Sequence, residues 1–135
     1  MIAVGTTVVR TLESIFIIGA KLFLELEHPF SIKQWEVYDQ EFKLAEVSKM
    51  DALQSILDYL KRNELDHLVG ETALMIIPGY QHKIAQGIIT NFHQPQSTLL
   101  LLISSYIGDD WKRIYQHALE HNYRFLSYGD ANLYI

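Results

Sequence analysis

Gly87-Ile88-Ile89-Thr90-Asn91-Phe92-His93-Gln94-Pro95-Gln96-Ser97-Thr98-Leu99-Leu100-Leu101-Leu102-Ile103 is the stretch whose reading decides the fold. Gly87 to Phe92 is short and mostly apolar, bounded by polar residues, and predicts a buried strand. Ser97 or Thr98 is placed to cap a helix running to about Tyr106, with Gly108 as its stop. Between strand and helix lies a polar turn that Pro95 forces. Strand, polar turn, helix is the plan of an α/β layer, and ligands of such sheets bind at the carboxyl ends of strands. Packing alone gives Asn91 and His93 no reason to be there. Asn91 can hydrogen-bond a heterocycle edge, and His93 can gain or lose a proton near neutrality.

Outward from this stretch the same plan continues. Ile2 to Gly5 reads as a strand and Thr7 to Leu26 as a helix. Val8, Leu12, Ile15, Ile18, Leu22 and Leu26 fall at three- and four-residue steps, Thr6 or Thr7 can cap, and His28-Pro29 ends the helix. Residues 30–47 are strand or irregular, with Trp35, Val37 and Phe42 in partial alternation. Ser48 opens a helix over about 48–62 whose apolar face is Met50, Leu53, Ile56, Leu57 and Leu60. Thr72 to Ile77 reads as a strand stopped by Pro78-Gly79. Asp109 caps a helix through His121, and Tyr123 to Ser127 reads as the last strand, with Leu133 to Ile135 as an extension. The expected fold class is α/β, a layered, mostly parallel or mixed sheet with flanking helices, as one domain over 1–135. A strand at the very start leads us to expect a further portion upstream of Met1.

Composition sets bounds on function. The 135 residues are 49% apolar and 20% charged, an ordinary globular balance. No cysteine is present, so disulfides and thiolate metal sites are unavailable, which fits a reducing cytoplasm. A net charge of −5 argues against nucleic-acid binding by this chain alone. The apolar run from Ile15 to Leu24 is interrupted by Lys21 and is too short for a bilayer, so no membrane role is expected. His117 and His121 stand four apart on a polar helix face without a third ligand near in sequence, a surface pair rather than a metal site.

Three further blocks have the residue types of a site, and each has a plainer reading. Gly5-Thr6-Thr7 places backbone N–H groups and two hydroxyls at a helix N-terminus, suited to a carboxylate or phosphate, with Arg10 one turn in; it is equally a capped turn. In Pro78-Gly79-Tyr80 the glycine lets a ligand approach and the tyrosine can stack on a base, though turn chemistry explains it as well. In Ser127-Tyr128-Gly129-Asp130 the carboxylate is a turn aspartate or a general acid or base.

Taken in order, these blocks resemble the C-terminal part of the S-adenosylmethionine:tRNA ribosyltransferase-isomerases of queuosine biosynthesis. The matching stretches are Ala3-Val4-Gly5-Thr6-Thr7 with Val9-Arg10-Thr11-Leu12-Glu13, then Ile77-Pro78-Gly79-Tyr80. Thr90-Asn91-Phe92-His93 with Pro95 and Ser97-Thr98-Leu99-Leu100 follow, then Tyr123-Arg124-Phe125 with Ser127-Tyr128-Gly129-Asp130-Ala131. Residues 27–69 match no motif and look like an enlarged connection. Ala85-Gln86 stands where the family has Val-Asp, Gln94 where it has Leu, and His82 where it has an aromatic. With no carboxylate at Gln86, no acid–base or ribose-binding role is carried over to that position. The family's β-barrel domain is absent from this sequence.

The resemblance implies a cytoplasmic enzyme that takes S-adenosylmethionine as substrate, not as a cofactor. Its ribosyl part would pass to the aminomethyl group of a 7-deazaguanine at the wobble position of tRNA, rearranged to an epoxycyclopentanediol, with adenine and methionine leaving. The sulfonium acidifies the C5′ protons, so a positioned base acts first; an acid or hydrogen-bond donor then helps adenine depart. His93 and Asp130 suit those two catalytic jobs, in either order. Gly5, Thr6, Thr7, Arg10, Gly79, Tyr80, Thr90, Asn91, Ser97, Thr98, Tyr128 and Gly129 are the expected substrate-binding residues, and no metal is expected. The tRNA would be held through the full-length enzyme, and the chain alone is expected to be inactive. The alternative is a truncated, non-catalytic domain that folds and self-associates.

Overall fold

The structure, a computed structural model, describes residues 1–39, 44 and 46–135. Its elements are β1 (Ile2–Val4), α1 (Thr6–Phe23), β2 (Ser31–Ile32), α2 (Glu36–Asp39), α3 (Lys49–Arg62), β3 (Glu71–Thr72), β4 (Gly87–Asn91), α4 (Thr98–Ile107), α5 (Asp110–Glu120) and β5 (Ala131–Tyr134). Contacts group these into two compact units, Met1–Arg10 with Ile76–Ile135, and Thr11–Met75. The class is α/β with a mixed sheet.

The first unit is built on a three-stranded sheet of order β1-β4-β5. β1 runs parallel to β4 with Val4 beside Ile89, and β5 runs antiparallel to β4 with Asn132 beside Thr90 and Tyr134 beside Ile88. Alternation along the strands sends Ala3, Ile88, Thr90 and Tyr134 inward, while Ile2, Val4, Ile89, Leu133 and Ile135 stay exposed. Leu100, Leu102 and Ile103 of α4 and Tyr115 and Ala118 of α5 are buried with them, as are Val9, Ala85 and Phe92. α4 follows the sequence reading: Ser97 caps it by accepting from Leu99 N, and Gly108 ends it.

The last strand is not where the sequence placed it. Residues 123–130 form a turn closed on itself, and β5 begins only at Ala131. Leu126 has φ 67°, and Asp130 N donates to Arg124 O at 2.8 Å. Phe125 is apolar because it packs on Phe92, with ring centroids 5.0 Å apart, and not because it lies in a sheet. A β-carbon on Gly129 would sit 2.3 Å from Arg124 O, so only glycine allows this turn to close.

The second unit pairs β2 with β3 in parallel, Ser31 beside Glu71 and Ile32 beside Thr72. The expected strand 72–77 is therefore short, although Ala73 N and Met75 N still donate to Ile32 O and Gln34 O. Lys21 is buried and donates to Ser31 O at 2.8 Å and to Glu36, whose other carboxylate oxygen accepts from Lys33 N. Of the alternation expected over Trp35, Val37 and Phe42, the last residue lies outside the described ones; Glu36–Asp39 is one helical turn.

Two helix expectations are corrected in this unit. The apolar face expected of α3 is covered only in part: Met50, Leu53 and Leu57 are exposed, Ile56 and Leu60 are half-buried, and Ala52 is fully buried. Gly19 of α1 explains this, since a β-carbon there would lie 2.2 Å from Ala52 O. The helices meet backbone to backbone through their smallest residues. α1 ends at Phe23, before His28-Pro29. Leu26 N bonds Lys21 O, Glu25 N bonds Leu22 O, and Glu25 has φ 52°, a left-handed cap that satisfies the last carbonyls. Glu64 and Asn122 end α3 and α5 in the same way.

Candidate active site

The strand directions bring the polar blocks together. β1 and β4 are parallel, so Gly5 follows β1 at the same end at which Asn91 closes β4; Gly5 N donates to Ile89 O at 2.8 Å. β5 runs the other way, so its first residue, Ala131, lies beside Asn91 and carries Gly129-Asp130 to the same end. Gly5, Thr6, Asn91 and Asp130 thus gather at one edge, with His93 two residues past β4. Thr6 and Thr7 sit inside the first turn of α1 rather than ahead of it, and Gly5, at φ 96°, makes the turn.

Gly79 and Tyr80 are not part of this gathering. Tyr80 N donates to Ile77 O across Pro78-Gly79, with Gly79 at φ 94°, the geometry of a type II turn. Tyr80 packs edge-on to His82, which stacks on Tyr106 and bonds Ser105 near the C-terminal end of α4. Ser97 caps the opposite end of that helix, about 12–15 Å away along its axis.

Asn91 and His93 both have structural partners, which residue type and spacing do not foretell. Asn91 Nδ2 donates to Gly129 O at 3.0 Å and to Asp130 O at 3.3 Å, tying β4 to the 123–130 turn. His93 N donates to the Tyr115 hydroxyl at 3.0 Å. The His93 ring bonds through Nε2 to Thr90 Oγ1 at 3.1 Å, while Nδ1 has no protein partner among the described residues. Burial pushes the His93 imidazole below its usual range, so the neutral ring is favoured. Burial raises the Tyr115 phenol, offset in part by the bond from His93 N.

Asp130 is engaged as well. Its carboxylate accepts from Arg124 N at 2.7 Å and from the Arg124 guanidinium at 3.4 Å. The backbone bond above all, with the Arg124 side chain adding, holds its carboxyl below the usual range despite an opposing desolvation effect. Near neutrality it is an ionised acceptor with no proton to give. Tyr128 is almost wholly exposed, and Ser97 and Thr98 are committed to the start of α4.

Sequence reasoning misses Tyr115 and Arg124. Tyr115 reads only as one of an apolar helix face, yet a buried tyrosine carries a hydroxyl that seeks a partner. Arg124 and Asp130 stand six apart, a spacing that no regular element predicts. Among the described residues no three His, Cys, Asp or Glu side chains are grouped to hold a metal. A surface depression of about 450 Å³ lined by Lys33, Gln34, Trp35, Glu36 and Asp39 belongs to the second unit and contains none of the site residues.

Comparison with known proteins finds relatives of this chain. The family described as queuosine biosynthesis protein matches residues 1–134. An S-adenosylmethionine:tRNA ribosyltransferase-isomerase of Aromatoleum aromaticum is 54% identical over 63 residues, 46% of this chain and 18% of that protein. The protein of the same name from Legionella pneumophila strain Corby is 46% identical over 83 residues, 61% of this chain and 25% of its own length. A solved S-adenosylmethionine tRNA ribosyltransferase from Thermotoga maritima is 35% identical, with a TM-score of 0.48, over 61% of this chain and 30% of that one. The chain therefore spans about a quarter or less of the curated relatives it matches.

Proposed function

The chain belongs to the queuosine biosynthesis protein family, and on that premise we propose that it supplies part of the site for transfer and isomerisation of the ribosyl moiety of S-adenosylmethionine. The acceptor is the 7-aminomethyl-7-deazaguanine of tRNA, and the product is epoxyqueuosine. The observation that carries this reading is the meeting of Gly5-Thr6, Asn91, His93 and Asp130 at one sheet edge. That edge combines an anion-tolerant helix start, a neutral imidazole and an ionised carboxylate.

On this reading the roles divide among the residues of that edge. His93, whose Nε2 is held by Thr90, is the group for hydrogen bonding or proton exchange with the departing adenine. Asp130 holds the 123–130 turn against Arg124 and offers the site negative charge, suited to a base or to the sulfonium. Asn91 positions the edge through the 129–130 carbonyls. Gly5, Thr6, Thr7 and Arg10 belong to the anion-binding start of α1, and Thr90 fixes the His93 ring. Ser97, Thr98, Tyr128 and Gly129 shape the surrounding turns. Transfer RNA is bound with the remainder of the enzyme, and the reaction belongs in the cytoplasm. No helix among the described residues is long and apolar enough to cross a membrane.

The test is transplantation. The stretch of the Legionella enzyme that matches this chain is replaced by the present sequence, and adenine release from S-adenosylmethionine is followed with deazaguanine-bearing tRNA. Activity in the folded chimera supports the reading; a folded but silent chimera opposes it. The 135-residue chain alone releases no adenine.

A second reading has an observation of its own. Ile2, Val4, Leu133 and Ile135 are each at least half exposed and share the open face of the β1-β4-β5 sheet with Ile89. An apolar row of that kind is a self-association surface. Sedimentation of the chain with Val4→Lys and Leu133→Lys distinguishes the readings, because a silent dimer dissociates and the chimera's activity does not depend on dimerisation.

A further inference from the structure

We infer that Asn132 is a positioning residue for His93: acting through Thr90, it fixes the imidazole as the Nδ1–H tautomer, so that His93 meets a ligand as a hydrogen-bond donor. Asn132 lies directly across from Thr90 in the antiparallel β4–β5 pair. Side chains so paired have their β-carbons about 4.5–5.5 Å apart. Thr90 is buried, and so is Asn132 Nδ2, which has no hydrogen-bond partner. On the same strand face the Tyr134 hydroxyl is likewise buried and unpartnered. A buried N–H without an acceptor is costly, and the acceptor facing it across the strands is Thr90 Oγ1. A side-chain rotation of Asn132 joins the two directly.

The direction of the chain follows from atom types. A threonine hydroxyl has one proton and two acceptor lone pairs. An amide N–H can only donate, so Asn132 occupies one lone pair of Thr90 Oγ1, and the buried Thr90 proton goes to the one other side-chain partner the structure gives it among the described residues. That partner is His93 Nε2 at 3.1 Å. Nε2 therefore accepts, and the proton of the neutral ring resides on Nδ1, the nitrogen with no protein partner among the described residues. What this means for the reaction rests on the ribosyl-transfer reading: His93 offers a hydrogen bond to the departing heterocycle, and the base that removes the C5′ proton is another group. The tautomer itself does not depend on that reading.

The experiment is a long-range ¹H–¹⁵N correlation of the imidazoles in the ¹⁵N-labelled 135-residue chain, above pH 7.5, with His93→Gln to assign the signals. We expect His93 Nε2 to be pyridine-type and Nδ1 pyrrole-type. In Asn132→Asp the carboxylate takes the Thr90 proton, Thr90 must accept from His93, and Nε2 becomes pyrrole-type. Thr90→Val removes the link and leaves the two tautomers mixed. A pyrrole-type Nε2 in the unaltered chain overturns the inference. So does a tautomer unchanged in Asn132→Asp or, if that variant does not fold, in Thr90→Val. Turnover is not read, so failure here and failure of the proposed function are separate results.

Discussion

Replacing Gly129 with Ala should open the turn on which the site edge rests. The added β-carbon would lie 2.3 Å from Arg124 O and 2.7 Å from the carbonyl carbons of Arg124 and Phe125. All three are backbone atoms that no side-chain rotation can move aside, so the 124–130 turn must separate. Separation breaks Gly129 N to Leu126 O and Asp130 N to Arg124 O, both 2.8 Å, and loosens the Asn91 amide from the Gly129 and Asp130 carbonyls. At about 1 kcal/mol net per bond, with partial re-solvation of an exposed turn, the loss is about 2–3 kcal/mol. For a chain of this length that lowers the melting temperature by on the order of 10 °C. Gly79→Ala is the control. Gly79 has φ 94°, and no atom lies within 4 Å of the place a β-carbon would take, so alanine there meets backbone strain but no clash. Its cost should be about 1 kcal/mol. Calorimetry on both variants decides the matter. Gly129→Ala melting within about 2 °C of the parent, or no lower than Gly79→Ala, would refute the steric argument.

Other consequences follow from single contacts. Lys21→Ala leaves Glu36 with its charge uncompensated in the second unit, at a cost of about 2–3 kcal/mol, below the full buried-pair penalty because Glu36 keeps some contact with water. Burial alone raises the Glu36 carboxyl, but Lys21 and the Lys33 N–H hold it below its usual value, so urea titrations should show its pKa climbing in that variant. His93 has a folded-state pKa beneath its ordinary 6.5, so the unfolded chain binds more protons in that window. Stability is therefore fully present above pH 6.5 and falls as the pH drops through the folded value, a loss that His93→Gln should remove from the pH–stability curve. Asn91→Ala should cost about 1–2 kcal/mol in stability and, in the chimera, raise the substrate concentration needed more than it lowers turnover.

Local patterns carry the fold where one element decides its own structure. Ser97 capping α4, Gly108 ending it and the apolar β4 are all readable from residue type and spacing. What escapes depends on contacts distant in sequence. Phe125 looks like strand because aromatic residues favour sheets, yet its partner is Phe92, and the strand comes after the turn that Gly129 permits. The leucines of α3 look like a core face until Gly19 is known to meet Ala52. The three helix ends at Glu25, Glu64 and Asn122 use non-glycine residues in left-handed conformation, which composition does not advertise. At the site, the candidates His93, Asn91 and Asp130 are legible as residues that chemistry favours. Their actual bonds, from His93 to Tyr115 and Thr90, from Asn91 to the Gly129 and Asp130 carbonyls and from Asp130 to Arg124, require the fold.

The central claim is that His93 serves the chemical step and not only the turn around Gln94-Pro95. Single-turnover adenine release by the folded chimera, compared with its His93→Ala version at matched thermal stability, measures this directly. A positioned proton-exchanging or donating group contributes about 10²–10⁴-fold, so the rate should fall by that factor while S-adenosylmethionine affinity changes little. A His93→Ala chimera that melts lower but turns over within about threefold of the parent, far short of that contribution, would contradict the account.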